Sequence, residues 1–197
     1  MPGGYHETSN AVAAHAQPGG AQTPNWVVGF NGGWAVSTNL DASTWDAYQI
    51  TGISTFGDPC DGGHCMSDEG GFGGYCCDPS LATVTQPDAN DSLPESTVGQ
   101  RVLFTQAAFS TVPGSVPDVV VSISDNGGQT FGHSRLLTTG AAQDGGTGGG
   151  GIGAVDNPVI ASHFASPYSA YAAWTVAGAG KAFITKVSCD ENFVRAA

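Results

Sequence analysis

The chain has 197 residues, a formal net charge of −12 and a pI near 4.3, with only five Lys and Arg. So few cations cannot neutralise a phosphate track, which excludes nucleic acid as a partner, and the same charge excludes attraction to anionic membrane surfaces. No run is apolar enough to span a membrane, and thirty Gly with eleven Pro in a length of one or at most two domains point to many turns and few helices.

Charged residues make up 11% of the chain, so the surface must rely on Ser, Thr, Asn, Gln and Gly. That composition, poor in Lys, is expected of a secreted β-protein. Residues 1–20 show neither a basic start nor an apolar centre, so no signal peptide is read there. Residues 1–24, rich in Ala, Gly, Gln and Pro, read as a flexible leader. Within them the Ala-Val-Ala-Ala-His-Ala piece at 11–16 suggests a brief helical turn, stopped by Pro18-Gly19-Gly20.

The structured part is expected over 25–197. Residues 26–30 (WVVGF) read as a strand, Asn31-Gly32-Gly33 as a turn, and residues 34–37 (WAVS) as a second strand. Residues 58–77 hold almost no aliphatic side chain and read as a long Cys- and Gly-rich loop. From Asp78 a unit begins whose parts recur from Asp156. Each has an acidic, proline-bearing opening, an aromatic-bearing strand (101–106, then 170–176) and a β-branched strand (118–124, then 181–188). Stretches 84–95 and 140–153 read as linkers. Partial sheets are expected at about 25–57, 78–139 and 154–197.

The strand at 118–124 stops at Asn126-Gly127-Gly128, which reads as a tight hairpin turn because Asn and Gly tolerate positive φ. Ser124 and Thr130 bracket that turn and are placed to hydrogen-bond its backbone, with Phe131 as an apolar plug. This stretch resembles the Asp-box repeat of bacterial neuraminidases, whose pattern is Ser, any residue, Asp, any residue, Gly, any residue, Thr, then Trp or Phe. Ser124, Gly128, Thr130 and Phe131 hold the pattern, and Asn126 stands where the family has Asp. Asn keeps the acceptor oxygen and loses the charge. A stretched version runs from Ser37, with Asn39 in the Asp place, to Thr44-Trp45. A remnant is read at 188–193.

The resemblance implies an all-β fold of antiparallel four-stranded blades in a sialidase-like β-propeller. The strands read here make roughly two blades and part of a third, too few for a ring. The chain is therefore expected to be a section of a larger propeller, a protomer that completes the ring with a partner, or, as the alternative fold, a β-sandwich. The open sheet edges imply a homo-oligomer as one outcome.

A sialidase implied by the resemblance would use three clustered Arg, a Tyr nucleophile with a Glu, and an Asp acid/base. Arg101, Arg135 and Arg195 are the only arginines, and none lies in the family's Arg-Ile-Pro context. They are read as surface charges, and no catalytic residue is assigned. The expected function is a secreted binding or interaction scaffold, directed at a glycan or at another protein chain. An exo-sialidase-like glycoside hydrolase and a self-assembling structural subunit are the alternatives. Trp26, Trp34, Trp45 and Trp174 are read as core, with sugar stacking as the other use.

Cys60, Cys65, Cys76 and Cys77 are disulfide candidates that would pin the loop, leaving Cys189 unpaired; a zinc site and free thiols are the other readings. Asp58, Asp61, Asp68, Glu69 and Asp78 are candidate ligands for a structural Ca²⁺. The glycine run at 145–153 is read as a flexible loop and not as a dinucleotide fingerprint, because no helix follows it.

Overall fold

The computed structural model describes residues 8–14, 24–31, 33–49, 72–75, 78–85, 100–110, 118–138, 155–163, 168–176, 180–190 and 193–196. Among them there is no helix, and every strand pairing is antiparallel. Three open sheets form. The first contains β1 (Thr8–Ala14), β2 (Asn25–Phe30), β3 (Gly33–Ser37) and β4 (Asp46–Gln49), in that order. The second contains β5 (Phe72–Tyr75), β6 (Ser80–Thr85), β7 (Gln100–Ser110), β8 (Asp118–Ser124) and β9 (Gly132–Thr138). Here β5 and β6 share one edge of β7, β5 on residues 108–110 and β6 on residues 100–105. The third contains β10 (Val155–Ser162), β11 (Ser169–Val176), β12 (Lys181–Asp190) and β13 (Phe193–Ala196).

Each sheet is an up-and-down meander, and the first strands lie side by side, with β6 between β1 and β10. Side chains tie these strands where no ladder does. Asn10 donates its Nδ2 to the Leu81 carbonyl (2.8 Å) and accepts from the Leu81 N–H (3.1 Å). The Ile160 N–H donates to Ser80 Oγ (3.1 Å), and Ser162 Oγ donates to the Thr83 carbonyl (2.6 Å). The two recurring units also share a backbone signature. Asp78 and Asn157 each precede a proline, and both adopt positive φ, 54° and 50°. Their openings meet, for the Asn157 N–H donates to Asp78 Oδ2 (3.2 Å).

The core sits in two layers on either side of the second sheet. On β7, Val102 and Phe104 face the first sheet and join Val27, Val36, Leu81 and Ala14. Leu103 and Ala107 point the other way and join Val119, Val121, Ile160, Ala172, Trp174 and Val187 of the second and third sheets. This explains the continuous apolar run in β7: a strand covered on both faces has no solvent side on which to alternate.

Several expectations are corrected. Residues 8–14, read as part of a leader with a helical turn at 11–16, form β1. Its pairing with β2 and the burial of Ala14 override a local sequence with no strand preference. Phe72-Gly73-Gly74-Tyr75, read as loop, forms β5, because the far end of β7 offers it an unpaired edge. Val84 and Thr85 belong to β6 and not to a linker. Of the remnant read at 188–193, residues 188–190 belong to β12, and Asp190 pairs with Phe193 of β13. With these short or alanine-rich strands included, the described residues hold three complete meanders instead of two and a part.

Candidate functional site: two serine-led corners

Residues 125–131 connect β8 to β9, a longer connection than the tight turn expected from Asn126-Gly127-Gly128. The reason is a local hydrogen-bond network. Ser124 Oγ accepts from the Gly128 N–H (2.8 Å) and donates to Asn126 Oδ1 (2.8 Å). Asn126 Oδ1 also accepts from the Thr130 N–H (2.9 Å), and Asn126 Nδ2 donates to Thr130 Oγ1 (2.7 Å). Gly127 and Gly128 take φ of 66° and 85°, where a side chain would be strained. The chain thus folds around Asn126 and presents the ring of Phe131.

That ring closes onto two sheets at once. Phe131 meets Phe104 of its own sheet at 5.6 Å and Trp34 of the first sheet, edge to face, at 5.1 Å. The corner's carbonyls are taken up by the first sheet as well. Asn25 Nδ2 donates to the Gly127 carbonyl (3.0 Å), and Trp34 Nε1 donates to the Gly128 carbonyl (2.8 Å). The corner is therefore a clasp between neighbouring sheets.

A second corner, residues 38–45 between β3 and β4, repeats the arrangement on the first sheet. The Asn39 N–H donates to Ser37 Oγ (3.3 Å), and Asn39 Nδ2 donates to Thr44 Oγ1. The extra length is absorbed at Ala42, whose φ is 51° and whose N–H donates to the Asn39 carbonyl (3.0 Å). Asp41 is held below the usual carboxylate range by hydrogen bonds from the Ser43 hydroxyl and backbone, and the Ser43 N–H to Asp41 Oδ1 distance is 3.1 Å. The closing ring differs in its surroundings. Trp45 is 43% exposed, with Leu40 at 63% beside the same corner. Tyr48, which stacks on Trp34 at 5.3 Å, is also open to solvent.

Searches against family models, curated proteins and solved structures found no match to this chain.

Arg101 is a correction. Read as a surface charge, it is buried at the start of β7, and its Nε pairs with Asp125 Oδ1 at 2.5 Å. Asp125 lies just after β8, beside the corner, so the pair braces the entry to it. Trp174 is buried as expected, stacked on Phe183 at 6.0 Å, whereas Trp45 is not core. Asp78 serves the contact with Asn157. Cys60, Cys65, Cys76, Cys77, Asp58, Asp61, Asp68 and Glu69 lie outside the described residues, and so do the side chains of Arg135, Arg195 and Cys189. Among the described residues no three His, Cys, Asp or Glu side chains converge on one point.

Sequence reasoning missed Asn10, Asn25 and Asp125. The first two are lone amides in strand segments, and nothing in the local pattern reveals a partner 71 or 102 positions away. Asp125 carried a signal: it is an acid next to a corner in a chain with few cations.

Proposed function

We propose that the chain is a non-catalytic interaction scaffold, built as a section of an Asp-box, sialidase-like β-propeller and working through its sheet faces and corners. The observation that carries this reading is the Ser124–Phe131 clasp, in which a short polar network aims one aromatic ring at the neighbouring sheet. Three meanders with adjacent first strands favour blades over the sandwich alternative, since a sandwich offers two sheets and covers each on one face only.

A hydrolase reading has less to stand on. A carboxylate clamp needs guanidinium groups open to a ligand, and Arg101 is committed to Asp125 in the interior. Protein contact is also favoured over sugar stacking. A sugar site needs polar groups around the ring to meet hydroxyls. Here the three indole N–H groups of the first sheet and its corner are spent within the chain: Trp45 on the Ala42 carbonyl (2.9 Å), Trp26 on the Leu40 carbonyl (3.1 Å) and Trp34 on the Gly128 carbonyl. The aliphatic Leu40 lies at the same corner. Secretion, argued from composition, fits a scaffold that meets other proteins outside the cell.

Incubation with a fluorogenic sialoside tests the reading together with a glycan array. The expected outcome is no turnover above a buffer blank and no glycan retention. Turnover abolished by Asp125→Asn, or retention abolished by Trp45→Ala, would overturn it.

A further inference from the structure

Among the described residues no sheet packs on the outer face of either outer sheet, and both of those faces carry apolar side chains. On the third sheet, Val159, Ala173 and Ile184 lie opposite one another across β10, β11 and β12, and the next row is Ala161, Tyr171 and Lys186. This is the face turned away from the second sheet. Val159 is 54% and Ile184 70% exposed, in rows that match the buried Ile160, Ala172 and Trp174 on the other side. On the first sheet, the face turned away from the second carries Trp26, Val28 and Phe30, all half-buried, and Ala35.

The corners say how such faces are covered. Ser124 pairs across its sheet with Val102, and Ser37 pairs with Trp26, so the two corners occupy matching places in their meanders. The Ser124–Phe131 corner closes against the sheet that precedes its own. By the same geometry, the Ser37–Trp45 corner is aimed at a sheet preceding the first, and none of the described sheets lies there. Trp45 and Leu40 stand exposed where Phe131 is covered.

We propose that the missing neighbour is the third sheet of a second copy of this chain. Two copies then close a ring of six sheets, in which each copy's Trp45 corner and outer first-sheet face pack on the Val159–Ala173–Ile184 face of the other. The proposal rests on the propeller reading above. Three grounds select a second copy over other occupants. The interface needed continues the pattern of the two interfaces already present between successive sheets. Rings of sheets typically hold four to eight blades, and the three described sheets of two copies make six, within that range. Opposite charges are also available at the two faces: Lys186 lies on the receiving face, with Asp156 in a further row of it, and Asp41 lies at the Trp45 corner. A two-fold axis along the ring makes the two contacts identical, so the assembly is closed and does not grow.

Light scattering after size exclusion, on the full chain, tests this. The expected mass is twice the chain's 19.8 kDa. Trp45→Glu and Ile184→Glu should each halve that mass with the far-UV circular dichroism unchanged. An equimolar mixture of the two variants should regain the doubled mass, because one of the two contacts then joins two unaltered faces; misfolded variants would not. A wild-type chain that stays at 19.8 kDa up to high concentration would overturn the proposal, as would species that grow beyond a dimer. It would also be overturned if only one variant dissociates, the result of a dimer joined through a single kind of face, or if the mixture stays monomeric. A monomer without sialoside turnover removes the dimer and leaves the scaffold reading intact, whereas sialoside turnover removes the scaffold reading itself.

Discussion

Asn126 Oδ1 receives two donors and its Nδ2 supplies a third bond, so one side chain holds the corner's shape. A carboxylate in its place would accept from the Thr130 hydroxyl instead of donating to it. Asn126→Asp is therefore expected to change stability by less than about 1 kcal/mol, while Asn126→Ala strands several polar groups and costs about 1–3 kcal/mol. Urea unfolding midpoints separate the two. Gly128 offers a sharper contrast. It has positive φ, and a β-carbon added there runs into the Val27 side chain, whereas Gly180, also at positive φ, has open space. Gly180→Ala is expected to cost about 1–2 kcal/mol for backbone strain alone. Gly128→Ala adds about 1–3 kcal/mol for overpacking between the sheets, again read from urea midpoints. The corner residues were legible in the sequence because the network is local. The buried state of Arg101 was not, since its partner Asp125 is brought to it only by the β7–β8 pairing.

β1 shows how an element can be missed. Its residues are mostly small, with Ala at 11, 13 and 14, so neither composition nor period marks a strand. What makes it one is β2 beside it and Leu81 beneath it. Asn10 makes two hydrogen bonds to the Leu81 backbone, at a place where β1 and β6 share no ladder. Asn10→Ala is expected to cost about 1–3 kcal/mol, measured as a lowered midpoint in thermal or urea unfolding; a dispensable leader would show no change. β5 is a similar case, a glycine-rich segment whose strand state comes from the free edge of β7. The strands that were legible, β2, β3, β7, β8, β11 and β12, each carry β-branched or aromatic residues of their own.

The second sheet joins the molecule, because β7 feeds one core with Val102 and Phe104 and the other with Leu103 and Ala107. Leu103→Ala and Phe104→Ala remove neighbours that face opposite ways. Each is expected to cost about 2–5 kcal/mol and to lower a single shared unfolding transition. Differential scanning calorimetry that resolved two transitions, each shifted by only one of the variants, would show that the cores melt independently.

By itself the sequence determined the class of structure. Its β-branched runs, glycine turns and serine-led corners act through neighbours a few residues apart, and such short-range chemistry is readable in one dimension. Only the tertiary structure decided that residues 8–14 are a strand, that Arg101 is interior and that Phe131 is covered while Trp45 is not. Each of those depends on which strands and sheets come to lie together: Arg101 on the β7–β8 pairing, and the others on surfaces that meet across 70 or more residues of chain and leave no mark in the local pattern.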